Sequence, residues 1–553
     1  MADLASMLGT LKAKAGQVMG QQPEPTAPAP EAAAATDPYA DTSAIVDRVK
    51  KFRDEFGRRE QRDRFLRPMY RNLLYYRGLQ WIRWDLSSGR WRPANIPQHI
   101  PTPVTNIFAS TMDTVISVFG RIEPKLLWRP GSTDEPDDRA AADVASRAIE
   151  VIEEEVNIRM NRQTLASWVG FTGGAFLESG YDPDPRWGTR EVALDQCPSC
   201  QATQPQGAPM CEGCGDTQPM QPVTQSVPIG KLFVEVAPLF EMFFDPSITD
   251  FSKHRKLLRE KALSVDDAKE RWPAFADQIS ANVAGMAEEH YMSALAIQGP
   301  ALDERGTGRR DVTSGALLTN NRVTERWYWC LPDATYPEGL LAIVVGNATL
   351  VYAKPLPYWA KMADGGKRHF LPFTWFPQKL VSGTFWPKTV ADDIALLQSD
   401  RNRWQSALML CGQRMGQHIW LNPKTAGVTG LAQGGGIAGS IISYNDMAPS
   451  KAKPERIPGQ PLPMSFIEWM GIIDSTIEKI AKTFAVLEGS RPEGVSAGIA
   501  LQILQERALS AYGQLFIMWE TGWAQWASQI MEIFRQFVTE ERLRKIKGRD
   551  GEW

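Results

Sequence analysis

The fold turns on the stretch "AGIALQILQERALSAYGQLFIMWETGWAQWASQIMEIFRQFV", residues 497–538. Within it Leu509, Tyr512, Phe516, Trp519, Trp523, Trp526, Ile530, Ile533 and Phe537 recur at alternating spacings of three and four. A period of about 3.5 residues places all of them on one side of a helix. The pattern predicts a long helix whose apolar side packs against another helix, from the same chain or from a neighbouring subunit.

Working outward, "FIEWMGIIDSTIEKIAKTFAV" (466–486) and "TVADDIALLQSDRNRWQSALMLCGQRMGQHIWL" (389–421) show the same helical spacing, separated by the glycine-rich "AGVTGLAQGGGIAG" (426–439). Helices are also expected over 41–81, 103–120, 137–160 and, briefly, 264–275. Lys50, Lys51, Arg53, Arg58, Arg59, Arg62 and Arg64 give the first of these a basic character, read as a solvated helix face. Strand-like runs fall between: "GGAFLESGYDPD" (173–184), "KLFVEVAPLFEMFFDP" (231–246), "RVTERWYWCL" (322–331), "GLLAIVVGNATLVYA" (339–353) and "FLPFTWF" (370–376). A turn is expected through Gly346-Asn347. The fold class is therefore α+β and predominantly helical.

The 553 residues exceed what one core of roughly 250–300 residues holds, so several packed regions are expected. Residues 1–40, rich in proline and alanine between 21 and 38, lack the apolar side chains to offset chain entropy and read as a flexible N-terminal arm. Lys+Arg number 61 against 64 Asp+Glu, for a formal charge of −3, so no overall basic excess advertises nucleic-acid binding. No run approaches the ~18 apolar residues of a membrane span, and the N-terminus lacks a signal-peptide pattern. A soluble protein made in the cytosol, with no membrane partner, is expected.

Four of the six cysteines lie in "DQCPSCQATQPQGAPMCEGCGD" (195–216). Cys197-Pro-Ser-Cys200 and Cys211-Glu-Gly-Cys214 are two CxxC knuckles ten residues apart. Each knuckle aims two thiolates at one point, and two knuckles complete a tetrahedral four-cysteine site. Cys197, Cys200, Cys211 and Cys214 are thus candidate ligands of a structural zinc. Four sulfurs close the shell and leave no position for catalysis. No Lys or Arg occurs from Glu191 to Ile229, so the insertion lacks the cations a nucleic-acid reader needs for phosphate. Elsewhere there is no phosphate loop of the GxxxxGK[ST] type, no HExxH and no GxSxG with partners. The five histidines (99, 254, 290, 369, 418) are scattered. The sequence reads as a non-enzyme.

Several stretches, in order, resemble the portal proteins of tailed bacteriophages. They are "YYRGLQW" (75–81) after a basic helix, and "TNIFASTMDTVISVFGRIEPKLLWRP" (105–130), in which an Asn opens a helix that ends in Gly and a Pro-Lys strand is expected to follow. The helix "DDRAAADVASRAIEVIEEE" (137–155), then "GGAFLESGYDPD", "PLFEMFFDPSITD" (238–250) and "VSAGIALQILQERA" (495–508) complete the series. The resemblance covers most of residues 45–510; the cysteine knuckles are not part of the family pattern. It implies a ring, a dodecamer in the family, at one capsid vertex of the virion, assembled in the host cytoplasm. The ring would be the channel for double-stranded DNA in packaging and ejection. It would contact capsid protein and dock terminase, then head-tail adaptor and tail proteins. It also implies portal architecture: wing at 41–260 carrying the zinc-ribbon-like insertion at 195–216, stem and clip at 261–385, channel-facing helices and loop at 386–490, and a helical crown at 491–553. No individual DNA-facing residue is assigned. Two other readings stand beside it: a zinc-ribbon nucleic-acid processing enzyme, or another head-tail structural protein.

Overall fold

The structure, a computed structural model, describes residues 38–86, 90–97, 99–120, 122–130, 136–201, 203–205, 210, 214, 221–282, 322–362, 365–415, 419–424, 441–444, 455–457, 464–482 and 512–538. Its elements run α1 (Thr42–Phe56), α2 (Arg59–Tyr76), β1 (Ile82–Asp85), β2 (Arg90–Pro93), α3 (Ile107–Gly120), α4 (Pro136–Glu155), α5 (Ile158–Thr172) and β3 (Gly174–Asp182). There follow β4 (Thr189–Gln196), β5 (Thr203–Pro205), β6 (Gln221–Pro228), β7 (Lys231–Pro238), β8 (Met242–Phe243), β9 (Lys256–Ser264), α6 (Val265–Arg271), β10 (Arg322–Cys330), β11 (Leu340–Val345) and β12 (Thr349–Lys354). The chain closes with β13 (Trp359–Lys361), β14 (Lys367–His369), β15 (Phe373–Pro377), α7 (Val390–Met415), β16 (Ile419–Pro423), β17 (Ile441–Tyr444), β18 (Glu455–Ile457), α8 (Met464–Ala481) and α9 (Gly513–Phe537). This is an α+β mix of helices and sheets. No helix of the described residues is long and apolar enough to cross a membrane.

The heptad-like side of α9 is buried as its spacing requires: Tyr512, Trp519, Trp523, Trp526, Ile530 and Ile533 are all in the main core. Leu509 and the upstream part of the pattern lie outside the described residues. What that side packs against differs from the expectation. It lies across a three-stranded antiparallel sheet of order β15-β3-β7 rather than along a helix. Phe376 meets Trp519 and Trp523 at ring distances of 5.3 and 5.1 Å. Gln529 binds the β15 backbone, donating to the Phe373 carbonyl at 3.3 Å and accepting from the Thr374 hydroxyl at 3.0 Å. Tyr181 of β3 stacks on Phe537 at 4.8 Å. A period near 3.5 fixes only that one side of the helix is apolar, and alternate residues of a sheet offer an apolar face just as well. Gly522 sits where helix and sheet come closest; a Cβ there would lie 2.4 Å from the Phe376 ring.

A five-stranded sheet, β12-β11-β10-β9-β8, packs beside the first. Its β11–β12 hairpin turns through Gly346 at φ +66°, as expected for Gly346-Asn347. One face is covered by α1, where Ile45, Val46, Val49 and Phe52 meet Leu258, Tyr328 and Ala342. Arg259 of β9 joins the two sheets. It is 1% exposed, and its guanidinium pairs with Glu178 of β3, with Glu241 at 2.8 Å and with Glu235 of β7 at 3.2 Å. Lys261, two residues on, adds a second contact to Glu235 at 2.6 Å.

The helices α2, α3, α5, α7 and α8 form a separate layer. Its joint is a chain of side-chain amides. Gln80 donates to Asn106 Oδ1 at 2.7 Å and to the Tyr75 carbonyl at 3.2 Å, and accepts from Asn402 at 2.6 Å. Asn402 accepts from Gln398 at 2.9 Å; Gln398 also donates to the Thr105 carbonyl and accepts from the Phe108 N–H. Asn106 accepts from Ala109 N at 3.1 Å, so it opens α3 as the sequence suggests. Gln80, Gln398 and Asn402 are 4%, 0% and 2% exposed, and every amide donor and acceptor of these three is used at least once.

Other expectations are corrected. The helix expected over 41–81 is two helices, broken at Gly57, whose helix propensity is low. The helix over 137–160 breaks at Asn157, which adopts the left-handed conformation (φ 50°) that Asn tolerates. The helix over 389–421 ends at Met415, and Ile419–Pro423 is a strand between β17 and β18. Arg62 is not on a solvated face. It is buried, donates to the carbonyls of Phe240 (2.7 Å) and Met242 (2.8 Å), and lies 3.9 Å from the Phe243 ring centre. The glycine-rich loop, the arm through residue 37 and residues 495–508 lie outside the described residues. The main core draws residues from Leu66 to Ile533, so the segments expected as wing, stem and clip, and crown contribute to one packed interior.

Two substitutions probe these joints. Asn402→Ala leaves Gln80 and Gln398 each short of a buried partner and is expected to cost about 1–3 kcal/mol in denaturant unfolding. Arg259→Leu takes the guanidinium from Glu178 and Glu241 and leaves Glu235 with Lys261 alone, and is expected to cost about 3–5 kcal/mol at pH 7. Even with Arg259 present, burial lifts the Glu241 carboxyl above its usual range, whereas Arg259 and Lys261 outweigh burial at Glu235 and hold it at about 2. Without Arg259 the Glu241 carboxyl, already raised by burial, rises further above the unfolded value of ~4.3, so its penalty is relieved as pH falls. The stability gap to the parent protein should therefore narrow between pH 7 and pH 5. A gap independent of pH would show that lost packing, not stranded charge, dominates.

Candidate metal centre

The cysteine cluster sits on an arm inserted into a hairpin. β3 and β7 pair antiparallel from Ala175↔Pro238 to Asp182↔Lys231. The chain leaves that hairpin after Asp182 and returns at Lys231, which is the strand-to-strand position expected for the insertion. In between, β4 and β6 form a second ladder, Thr189↔Pro228 to Gln196↔Gln221, with β5 added beside Leu194–Gln196.

The base of the arm is clamped. Asp182 Oδ2 accepts from Trp187 Nε1 and from Arg186, each at 2.9 Å, and Oδ1 accepts from Asp184 N. Burial opposes ionisation of Asp182, but the hydrogen bonds from Trp187 and Arg186 outweigh it and lower its pKa. The Tyr181 hydroxyl donates to the Ile229 carbonyl at 2.6 Å. Gly230 closes the turn at φ +61°, and a Cβ there would meet the Tyr181 hydroxyl at 2.2 Å.

At the far end β4 runs directly into the first knuckle. Gln201 N donates to the Cys197 carbonyl at 2.9 Å, and Gln201 takes the left-handed conformation (φ 59°) that turns the chain back. Gln196 Nε2 reaches across to the Gln201 carbonyl at 3.2 Å. The loop toward the second knuckle is tied to β5 where Gln204 donates to the Met210 carbonyl at 3.0 Å.

These turns bring the Sγ atoms of Cys197, Cys200 and Cys214 within 4.8 Å of one another. Cys197 is 1% exposed; Cys200 and Cys214 are exposed. Cys197 Sγ and Cys214 Sγ are 3.6 Å apart. A disulfide needs about 2.05 Å, so the pair is not bonded. Sulfurs around a tetrahedral zinc with bonds of about 2.3 Å stand roughly 3.8 Å apart. The three thiols therefore fit a metal of that kind and could hold it. Cys211 lies outside the described residues. The sequence singled out the cysteines; it missed Asp182, Tyr181 and Gln201. "GYDPDPRW" (180–187), with its acids and prolines before a Trp, was the available signal for the clamp.

The centre predicts one zinc per chain by elemental analysis, and Cys197→Ser should remove most of it. Chelation should open residues 197–221 to limited proteolysis while leaving the thermal unfolding of the α9 tryptophan core in place, because none of the arm's described residues beyond its base belongs to the main core. Cleavage spreading into β3 and β7 would contradict that separation. No family model and no curated protein matches this chain.

Proposed function

We propose that the chain is a structural subunit of portal type. Copies form a ring at one capsid vertex of a tailed bacteriophage. Double-stranded DNA passes through it during packaging and ejection, and terminase and then head-tail proteins dock on it. The observation that carries this reading is the amide joint. "YYRGLQW" and "TNIFAS", two separate pieces of the portal-like pattern, meet through Gln80 and Asn106 and are held against α7 by Asn402 and Gln398. Their shared structural role accounts for their occurrence together in one order.

Two further features support it. Helix α8 buries Ile473, Ile477 and Ala481 yet leaves Met464, Ile467, Trp469 and Ile472 at 47–67% exposure. Exposed apolar side chains beside the buried stripe call for more cover than one neighbour supplies, and subunit packing in a ring would supply it. The formal charge of −3 suits a conduit, since a strongly basic wall would hold a duplex by counterion release. In this reading the zinc centre is structural, an appendage rather than the seat of the activity.

Negative-stain microscopy with mass photometry of the purified chain tests the proposal. Rings with a central hole and a mass near twelve chains are expected. A chain that remains monomeric with and without capsid protein, and that binds or cleaves nucleic acid, would favour the zinc-ribbon processing enzyme instead.

A further inference from the structure

Cys197 and Cys214 differ in a way that matters for their chemistry. Cys214 is exposed at the end of the arm, whereas Cys197 is 1% exposed at the end of β4. Their sulfurs are 3.6 Å apart. An accessible sulfur with a shielded thiol beside it is the arrangement that carries oxidation to a disulfide rather than to higher oxides. A disulfide between these two would join the same two ends that a metal joins, the end of β4 and the second knuckle.

We infer that the cluster is a modification site for peroxides, at which the metal staple is exchanged for a Cys197–Cys214 disulfide. The inference rests on the metal reading of the cluster. The Cys214 thiolate attacks hydrogen peroxide; the O–O bond breaks, Cys214 becomes a sulfenic acid and hydroxide leaves. The Cys197 thiolate then attacks the Cys214 sulfur, forming the S–S bond and expelling a second hydroxide. The two sulfurs together lose two electrons, the peroxide gains two, and zinc departs as the divalent ion because two of its ligands are gone. Closing from 3.6 Å to about 2.05 Å is a shift at the tip of the arm; the β4–β6 ladder and the Asp182 clamp need not move. The arm thus stays closed in a reducing compartment, where thiolates persist, and in an oxidising one, where they do not.

The experiment uses the full chain with its native metal. Zinc content is measured first, then hydrogen peroxide is added stepwise while released zinc is followed with a chromogenic chelator and the products are mapped by non-reducing peptide mass analysis. The expected result is zinc release in step with a Cys197–Cys214 cross-linked peptide. The ladder should stay protease-resistant, and thiol reductant with added zinc should restore the starting state. In Cys214→Ser, the cross-link should be absent and Cys197 should stay unmodified at the same peroxide. A chain that purifies without zinc overturns the metal reading and the exchange with it. With zinc present, dominant Cys197–Cys200 pairing, or sulfinic acid at Cys214 beside unmodified Cys197, overturns the exchange alone.

Discussion

One guanidinium joins the three-stranded β15-β3-β7 sheet to the five-stranded sheet beside it. Arg259 is 1% exposed, with Glu178 on β3, Glu235 on β7 and Glu241 at the approach to β8 around it. Charges taken from water recover their hydration only where the geometry supplies opposite charge and hydrogen bonds together, and a planar fork with five donors can serve several carboxylates at once. The constraint reaches outward. β9 must lie over the β3–β7 pair for Arg259 to reach all three acids, and β10, β11 and β12 follow β9 in register. Cross-strand pairing then places Arg326 opposite Glu260, with a 2.8 Å contact on the α1 side. The position of α1, and of Arg53 beside Glu260 at 3.5 Å, is downstream of where Arg259 sits.

The sequence disclosed elements better than partners. Strands with strong runs of Val, Ile, Trp and Phe, such as β10, β11 and β15, were legible because few other structures bury a short continuous apolar run. The apolar side of α9 was legible for the same kind of reason. Its partner was not, because a helix period carries no information on whether the opposing surface is a helix or a sheet. The chain breaks at Gly57 and Asn157 were obscured by periodicity that continues through them. Arg62 was misread because a cation in a run of cations looks solvated. Only the tertiary structure shows the carbonyls of Phe240 and Met242 that take it in. At the metal centre the ligand types and spacing were explicit in four letters of sequence, while the clamp at Asp182 depended on contacts that spacing does not encode.

The amide joint shows how a weak sequence signal becomes a strong structural one. Gln80 and Asn106 are unremarkable in isolation, and polar side chains of this size are usually at the surface. Once buried they tolerate only a full set of partners, since each unpaired donor costs far more than a paired one contributes. Gln398 and Asn402, one turn apart on α7, supply the remaining groups. A chain of this kind restricts four positions jointly, which separates it from an apolar contact that many residues could make.

The arm follows the opposite logic. It enters and leaves the β3–β7 hairpin between Asp182 and Lys231, which are paired across the ladder, so the parent register is the same whatever the arm does. Loop-closure entropy rises only slowly with loop length, so a long insertion at such a mouth costs the fold little. The cost appears within the arm, whose small three-stranded sheet, β5-β4-β6, contributes none of its described residues to the main core. Sheets this small need a packed apolar face to be stable on their own. Closure at both ends would hold such an arm: the Asp182 and Tyr181 clamp is in place at the base, and at the tip Cys197, Cys200 and Cys214 lie close enough together to hold a metal.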